Sequence, residues 1–281
     1  MIFDRAKLNV RDRVMVITGA GSGMGRALAE LATERGAHVA ISDWNAEAVA
    51  ETAALVEGRG TKVMSTSFDV SDRDAVEAHA AAVLAEFGRA DIVVNNAGVS
   101  LAAQVANMTY DDLEWVMNID YWGVVHGTKA FLPHMLERGD GAIANVSSVF
   151  GLFGVPTQAG YNSAKFAVRG FTEALQQEVA GTGVLVTRIH PGGVKTGIVR
   201  NGRIHETMDD ADPAEMADRF EAQVRTTPER AAEIILGGIE RRKQRILVGP
   251  DAVLMDLIVR IAPVGYQRLM PLIERIAGSD D

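Results

Sequence analysis

The sequence predicts an α/β fold, a parallel sheet with helices on both faces. Three observations predict it. Short apolar runs of strand length alternate with longer helical patterns, and repeated strand–helix units build parallel sheets. The first such run ends in a glycine-rich turn that opens straight into a helical pattern. The polar residues that stand out, Asp43, Asp69, Asn95 and Ser148, fall with Pro191 at the carboxyl ends of expected strands, the rim where such sheets bind ligands.

Composition suits that class. The chain has 281 residues, 47% of them hydrophobic, enough for one large domain with a buried core. A formal net charge of −9 argues against general nucleic-acid binding. The chain has no cysteine, which excludes disulfides and thiolate metal sites and is consistent with a reducing cytoplasm. Residues 1–7 lack the apolar core of a signal peptide, and no stretch approaches the ~18 uninterrupted apolar residues of a spanning helix. A cytoplasmic protein without a metal is the expectation.

The first strand is Arg13–Ile17, a short apolar run. It enters Thr18-Gly19-Ala20-Gly21-Ser22-Gly23-Met24-Gly25, and a helix follows from about 23 to 35 with Gly36 as its stop. Four glycines in seven residues let a backbone approach a pyrophosphate, and the helix N-terminus offers free N–H groups to it. The pattern is T-G-x-x-x-G-x-G rather than G-x-G-x-x-G, because Met24 and Arg26 stand where the third glycine would be. A plain tight turn is the bland alternative. The second strand, His38–Ser42, ends at Asp43, 24 residues after Gly19. A carboxylate there accepts hydrogen bonds from ribose hydroxyls and repels a 2′-phosphate. Neither Trp44 nor Ser22 offers a cation to neutralise that phosphate, so NAD is expected over NADP.

Residues 45–58 read as a helix capped by Asn45, and 62–68 as a third strand closing on Asp69-Val70. Ser71 is expected to cap the next helix, to about Phe87. The fourth strand, Asp91–Val94, runs into Asn95-Asn96-Ala97-Gly98, which reads either as a polar turn or as backbone making room for a ligand. A long helix is expected from Thr109 or Tyr110 to about Arg138, bent or cut short by Pro133 and carrying Asn118 inside it. The fifth strand, 141–148, runs to Ser148; a helix to about Thr182 and a sixth strand, 184–189, follow. The latter opens into His190-Pro191-Gly192-Gly193-Val194-Lys195-Thr196. Residues from about 195 to 227 lose their period and read as a lid over a substrate. A helix over 228–242 and a strand over 245–248 complete a domain spanning 1–250. Residues 251–281 read as an extension of two amphipathic helices broken near Pro263-Val264-Gly265. Packing on the body or on another subunit is expected of it, with contact to a membrane surface as the alternative.

Tyr161 and Lys165 stand four residues apart and so share one helix face. An ammonium beside a phenol favours the phenolate and pulls its pKa down from about 10, which equips a tyrosine for acid–base work. Alone, such a pair is an ordinary solvated face. Its company changes that: the glycine turn, Asp43, and Ser148 thirteen residues before Tyr161.

As a set, Thr18-Gly19 with Gly23-Met24-Gly25, then Asn95–Gly98, Asn118, Ser148, Tyr161 with Lys165, and Pro191-Gly192 with Thr196 resemble the classical branch of the short-chain dehydrogenase/reductase family. The match covers about residues 10–250, with no departure in the catalytic set. The resemblance implies a single-domain Rossmann fold with seven parallel strands and a nicotinamide cofactor. It implies that Tyr161 is the general acid/base, that Lys165 lowers its pKa and holds the nicotinamide ribose, that Ser148 binds the substrate oxygen, and that Asn118 supports a water in a proton relay. Around the cofactor it implies Gly19, Gly21, Ser22, Gly23, Met24 and Gly25 at the phosphates, Asp43 and Asn96 at the adenosine ribose, and Asp69 and Val70 at the adenine. Ala97, Gly98, Pro191, Gly192, Val194 and Thr196 complete that set. Dimers or tetramers through the helices at about 109–137 and 160–181 are also implied.

The apolar residues after Ser148, from Val149 to Pro156, together with Leu101 and Val194, suggest a lipophilic alcohol or ketone of steroid, retinoid or long-chain type. The same stretch also suits plain core, and an inward-facing Arg200 or Arg203 would count against that substrate. Two other readings keep the fold: a nicotinamide-binding regulator without catalysis, and an epimerase or dehydratase with a tightly held cofactor.

Overall fold

Strands buried on both faces, with helices on either side, build the molecule. The computed structural model describes residues 7–205, 218 and 222–268. Its main sheet has seven parallel strands: β1 (Val14–Thr18), β2 (His38–Asp43), β3 (Val63–Ser67), β4 (Ile92–Asn95), β5 (Gly141–Val146), β6 (Val184–Pro191) and β7 (Arg245–Val248), in the spatial order β3-β2-β1-β4-β5-β6-β7. On β1, Met15 and Ile17 face one side while Val14 and Val16 face the other, and all five residues are buried. A strand buried on both faces reads as a continuous apolar run.

Helices α1 (Gly23–Glu34), α2 (Ala46–Val56) and α7 (Pro228–Glu240) cover the first face, packing Leu28, Val49, Ile235 and Leu236 on Ile17 and Ile41. On the second face lie α3 (Arg73–Phe87), α5 (Gly123–Arg138) and α6 (Ala159–Glu178), which bring Val83, Phe131, Met135 and Leu175 onto Val16 and Ile143. Strand order reverses between β1 and β4, so the loops that leave these two strands diverge and open a crevice at their carboxyl ends.

Several boundaries differ from the expectation for local reasons. Asp72 rather than Ser71 caps α3, accepting the Asp74 and Ala75 N–H groups. The long helix divides into α4 (Tyr110–Met117) and α5, joined by a π-helical turn at Asn118–Trp122. Thr109 and Asp112 close a reciprocal capping box on α4. Pro133 sits inside α5 without ending it. A two-stranded pair, Leu101–Ala102 with Arg203–Ile204, brings the start of the expected lid against the loop after β4. The rest of that lid, at 206–217 and 219–221, lies outside the described residues.

The extension begins as α8 (Pro250–Ile261). Ala252, Met255 and Ile258 pack with Phe153 and Tyr266, and the Tyr266 hydroxyl accepts the Gly154 N–H at 3.0 Å. The outer face keeps Val253, Leu254, Leu257 and Ile261 exposed. The second expected helix falls mostly at 269–281, outside the described residues. Among those described, no helix is long and apolar enough to cross a membrane.

A buried charge anchors the opposite end of the sheet. The Asp91 side chain has no exposed surface, yet it meets Arg89 at 2.5 Å, Arg138 at 3.0 Å and Arg13 at 3.6 Å, and accepts the Val14 N–H at 2.9 Å. The residue thereby ties β1, the start of β4 and the end of α5 together.

Candidate active site

The crevice is floored by the glycine turn. Gly19 and Gly23 have φ of 65° and 52°, the left-handed region where a side chain is strained. Gly25 has another reason to be glycine: a Cβ there would lie 2.1 Å from the Gly19 carbonyl oxygen, so α1 reaches this close to the turn only without one. The Thr18 hydroxyl accepts the N–H groups of Asn96 and Ala97 at 3.0 and 3.1 Å, while the Asn96 amide donates to the carbonyls of Thr18 and Gly19 at 2.9 and 3.2 Å. The loops after β1 and β4 are thus one hydrogen-bonded unit. Ser22 places no side-chain cap on α1, and no acid stands in its first turn. Open N–H groups, a positive helix end and a backbone without side chains suit a diphosphate.

At the tip of β2 the Asp43 carboxylate accepts the Gly21 N–H at 2.9 Å and the Asn45 N–H at 3.0 Å. It borders a cavity of about 480 Å³ that runs from Trp44 and Phe68 past Asp69, Val70 and the Asn96–Gly98 loop to Trp115, Ile119, Thr196 and Arg203. These residues fit a nicotinamide dinucleotide: glycines for the diphosphate, a carboxylate for the ribose, and the Phe68 and Val70 side chains, either side of Asp69 in the chain, for a base. Among the described residues no cluster of metal-ligating side chains occurs.

Behind Gly98 lie the reactive side chains. A Cβ on Gly98 would come within 3.2 Å of both Lys165 Nζ and Asp120 Oδ1, so this glycine lets the pair stand against the cavity wall. Lys165 Nζ donates to the Val146 carbonyl at 3.3 Å and meets Asp120 Oδ2 at 3.0 Å. It lies 5.5 Å from the centroid of the Tyr161 ring. The Ser147 hydroxyl holds the Lys165 carbonyl at 2.8 Å, which fixes α6 to the end of β5. Tyr161 is buried among Leu101, Val116 and Phe150. The Ser148 hydroxyl accepts the Phe150 N–H at 3.1 Å, and the Ser148 carbonyl faces His190 Nδ1 at 2.9 Å. Burial lowers the His190 pKa to about 4, so its ring is neutral and Nδ1 carries the proton toward that carbonyl.

Burial, before any other cause, raises the Tyr161 pKa above its ordinary value; Lys165 and the Ser148 hydroxyl pull it down, and Asp120 pushes it up. This corrects the expected lowering. The lysine acts in the expected direction, but desolvation and a carboxylate that the Tyr–Lys spacing does not reveal outweigh it. Burial opposes charge on Lys165 as well, yet Asp120 and Tyr161 hold its proton more tightly than usual.

Comparison with known proteins settles the family. A family model described as short chain dehydrogenase matches residues 13–207. The chain belongs to the short-chain dehydrogenase/reductase family. It is 48% identical over 260 residues to the putative oxidoreductase SadH of Mycobacterium tuberculosis, a match covering 92% of this chain and 94% of that one. The structure of a short-chain dehydrogenase/reductase from Burkholderia phymatum in complex with NAD superposes with a TM-score of 0.83 at 30% identity, covering 91% of this chain and 95% of that one. Levodione reductase does so at 0.78 and 30%, covering 86% and 98%.

In this short-chain dehydrogenase the expected site residues take different places. Gly19, Ser22, Gly23, Met24, Asp43, Asp69, Val70, Asn96, Ala97, Gly98 and Thr196 line the cavity. Gly21 and Gly25 stand just behind it, shaping the turn, and Ser148, Tyr161 and Lys165 come together behind Gly98. Pro191, Gly192 and Val194 do not line it. Pro191 is the last, buried residue of β6; Gly192 packs on the Asp251 carboxylate; Val194 is in the core at 4% exposure. They carry Thr196 to its place beside Gly23.

Asn118 is the clear correction. It is exposed, while Asp120, two residues on, is fully buried and meets Lys165. The reason is helical phase. Val116, Asp120 and Val124 follow at intervals of four and are all buried, so a residue midway between the first two points outward. That period is visible in the sequence, and it marks Asp120 as a charge on a buried stripe. Asp251, whose carboxylate accepts the Gly193 N–H at 2.6 Å, is a second residue the sequence reading passed over, and nothing in its local pattern marks it.

Proposed function

We propose that this oxidoreductase transfers a hydride between NAD(H) and an alcohol or ketone with an apolar body, of steroid, retinoid or long-chain type. The meeting of Tyr161, Lys165 and Ser148 beside a dinucleotide-shaped crevice carries the reading. The nicotinamide, when bound, supplies the hydride acceptor or donor. The chain supplies orientation and the proton. Ser148 binds the substrate oxygen. Tyr161 takes the hydroxyl proton during oxidation and returns it during reduction, and Lys165 stabilises the phenolate that forms between.

Asp43 supports NAD. Its carboxylate is held at the Gly21 N–H, where a 2′-phosphate would meet its charge. Arg26, the cation at the turn, is already committed to the Gly21 carbonyl at 2.6 Å and Glu51 at 3.0 Å. We expect NAD to bind at least tenfold more tightly than NADP, and Asp43→Ser to narrow that ratio by about tenfold, the effect of ~1.4 kcal/mol. Titration of intrinsic fluorescence with each cofactor measures both; equal affinities in the wild type would remove the argument.

The substrate side rests on other residues than the sequence suggested. Val149, Leu152 and Phe153 are core, packed with α8 and Tyr266. Val99, Trp115, Ile119 and Ile198 form the apolar wall instead. Arg203 also lines the cavity, the feature set against a wholly lipophilic substrate. Its guanidinium stacks on Trp115 at 4.1 Å and meets Asp112 at 3.4 Å, so its charge is answered within the wall. An apolar body with a polar group at the Arg203 rim fits this lining. Turnover of a panel of secondary alcohols and ketones, with and without such a group, tests it. Self-association through α5 with the π turn before it and through α6, where Trp122 and Phe166 remain exposed, is part of the same proposal.

A further inference from the structure

We propose that Asp120 is a positioning residue that keeps Tyr161 in its protonated, proton-donating form, so that the site is set for carbonyl reduction. The inference rests on the dehydrogenase reading for its consequence, but its physical content concerns the chain alone.

The placement is specific. Asp120 lies in the π-helical turn between α4 and α5, where an extra residue per turn redirects side chains. Its side chain has no exposed surface. One carboxylate oxygen accepts the Val99 N–H at 2.8 Å and so holds the loop beyond Gly98; the other meets Lys165 Nζ at 3.0 Å. Uncompensated, a buried carboxylate is very unfavourable; burial raises the Asp120 pKa above its ordinary value, and Lys165 and the Val99 N–H act against that rise. The consequence reaches the tyrosine. A lysine alone beside a phenol draws it toward phenolate. A lysine neutralised by a carboxylate draws it much less, because the two opposite charges largely cancel a few ångströms away.

The charged groups around this pair come from each neighbouring element. From α6 it faces Tyr161 and Lys165 themselves. From the end of β5 it faces the neutral Ser148, whose carbonyl is held by neutral His190 on β6. On α4, Asp112 is engaged with Arg203 at the far rim. On α5, His126 stacks on Trp122, and Lys129 is exposed. Asp120 is thus the acid that meets the lysine, and its charge opposes the pull of Lys165 on the phenol, adding to the burial that already raises it. With Tyr161 held as a phenol, the group beside the substrate oxygen near neutral pH is a proton donor, which carbonyl reduction uses and alcohol oxidation cannot.

The test needs no substrate. The chain has four tyrosines, and the ultraviolet absorbance of phenolate, titrated with pH in the wild type and in Tyr161→Phe, gives Tyr161 by difference. We expect the wild-type residue to titrate above the ordinary ~10. In Asp120→Asn, compared with Asp120→Asn/Tyr161→Phe, its titration moves down by about one to two pH units. A wild-type Tyr161 titrating below about 8, or a residue unmoved or raised in Asp120→Asn, overturns the proposal. Where Asp120→Asn does not fold, Asp120→Thr keeps an acceptor for Val99 without the charge and is read the same way, and the wild-type titration stands by itself. Once a substrate is in hand, the oxidation-direction pH profile of kcat shifts with the phenol; a purely structural Asp120 would lower stability and leave the profile in place. Failure of the enzyme reading shows separately, as absence of turnover with the titration unchanged.

Discussion

Tyr161→Phe lowers turnover by about 10²–10⁴-fold, the usual contribution of a positioned general acid–base, and leaves nicotinamide binding near that of the wild type. The phenol hydroxyl is the one atom lost. The ring stays buried among Leu101, Val116 and Phe150, with the Phe150 ring 5.9 Å away, so the fold has little reason to change. Lys165 keeps its bonds to Val146 and Asp120, so the wall behind Gly98 stands. Reduced-nicotinamide absorbance gives the rate, and a binding titration gives the affinity. Retained turnover in the variant would end the assignment of Tyr161 as acid–base. Absence of turnover in the wild type, with NAD bound, would favour the regulator reading instead. The pH dependence carries a sign. Oxidation uses the deprotonated phenol, and burial raises the pKa of this one. Oxidation therefore climbs with pH well into the alkaline range, while reduction holds until the same range and then falls.

Most of this site is legible in the sequence because its parts are local. Gly19 to Gly25, Asp43 and the Tyr161/Lys165 pair each express one element's geometry, a turn that excludes side chains, a strand end, or a single helical turn. The central strands are legible for the same reason, since strands buried on both faces read as nearly continuous apolar runs. What the pattern hides is long-range. The buried stripe of Val116, Asp120 and Val124 marks Asp120 as facing inward, but its partner Lys165 stands 45 residues further on, and no local pattern joins the two. The division of residues 149–156 between substrate wall and core depended on α8, a hundred residues later, folding back onto Phe153. Apolarity alone does not distinguish the two roles, because both bury the side chain.

Asp91→Ala is expected to destabilise the protein by about 3–5 kcal/mol, the scale for removing one member of a buried ion cluster. The carboxylate has no exposed surface and is matched by Arg89, Arg138 and Arg13 and by the Val14 N–H. Its loss leaves Arg89 and Arg138, both half-buried, without their anion, leaves Arg13 with Asp140 alone at 2.7 Å, and leaves a strand N–H without its acceptor. Burial works against the charge on Asp91, but its hydrogen bonds to Arg89, Val14 and Arg138 prevail and hold its pKa below the usual carboxylate range. A carboxylate depressed in the folded state stabilises fully above its unfolded pKa of about 3.9, and that stabilisation is lost as pH falls through the lower, folded value. The wild type should therefore lose this contribution only in acid, whereas Asp91→Ala lacks it at neutral pH, and the two urea midpoints should converge as pH falls toward 3. Asp91→Asn separates the parts, since it keeps an acceptor for Val14 and removes the charge. Asp91 precedes β4, at the end of the sheet away from the glycine turn, so cofactor affinity per folded molecule should be unchanged in both variants. A loss under about 1 kcal/mol at pH 7 would mean that the arginines find enough solvent to do without it, and that the cluster orients α5 rather than stabilising it.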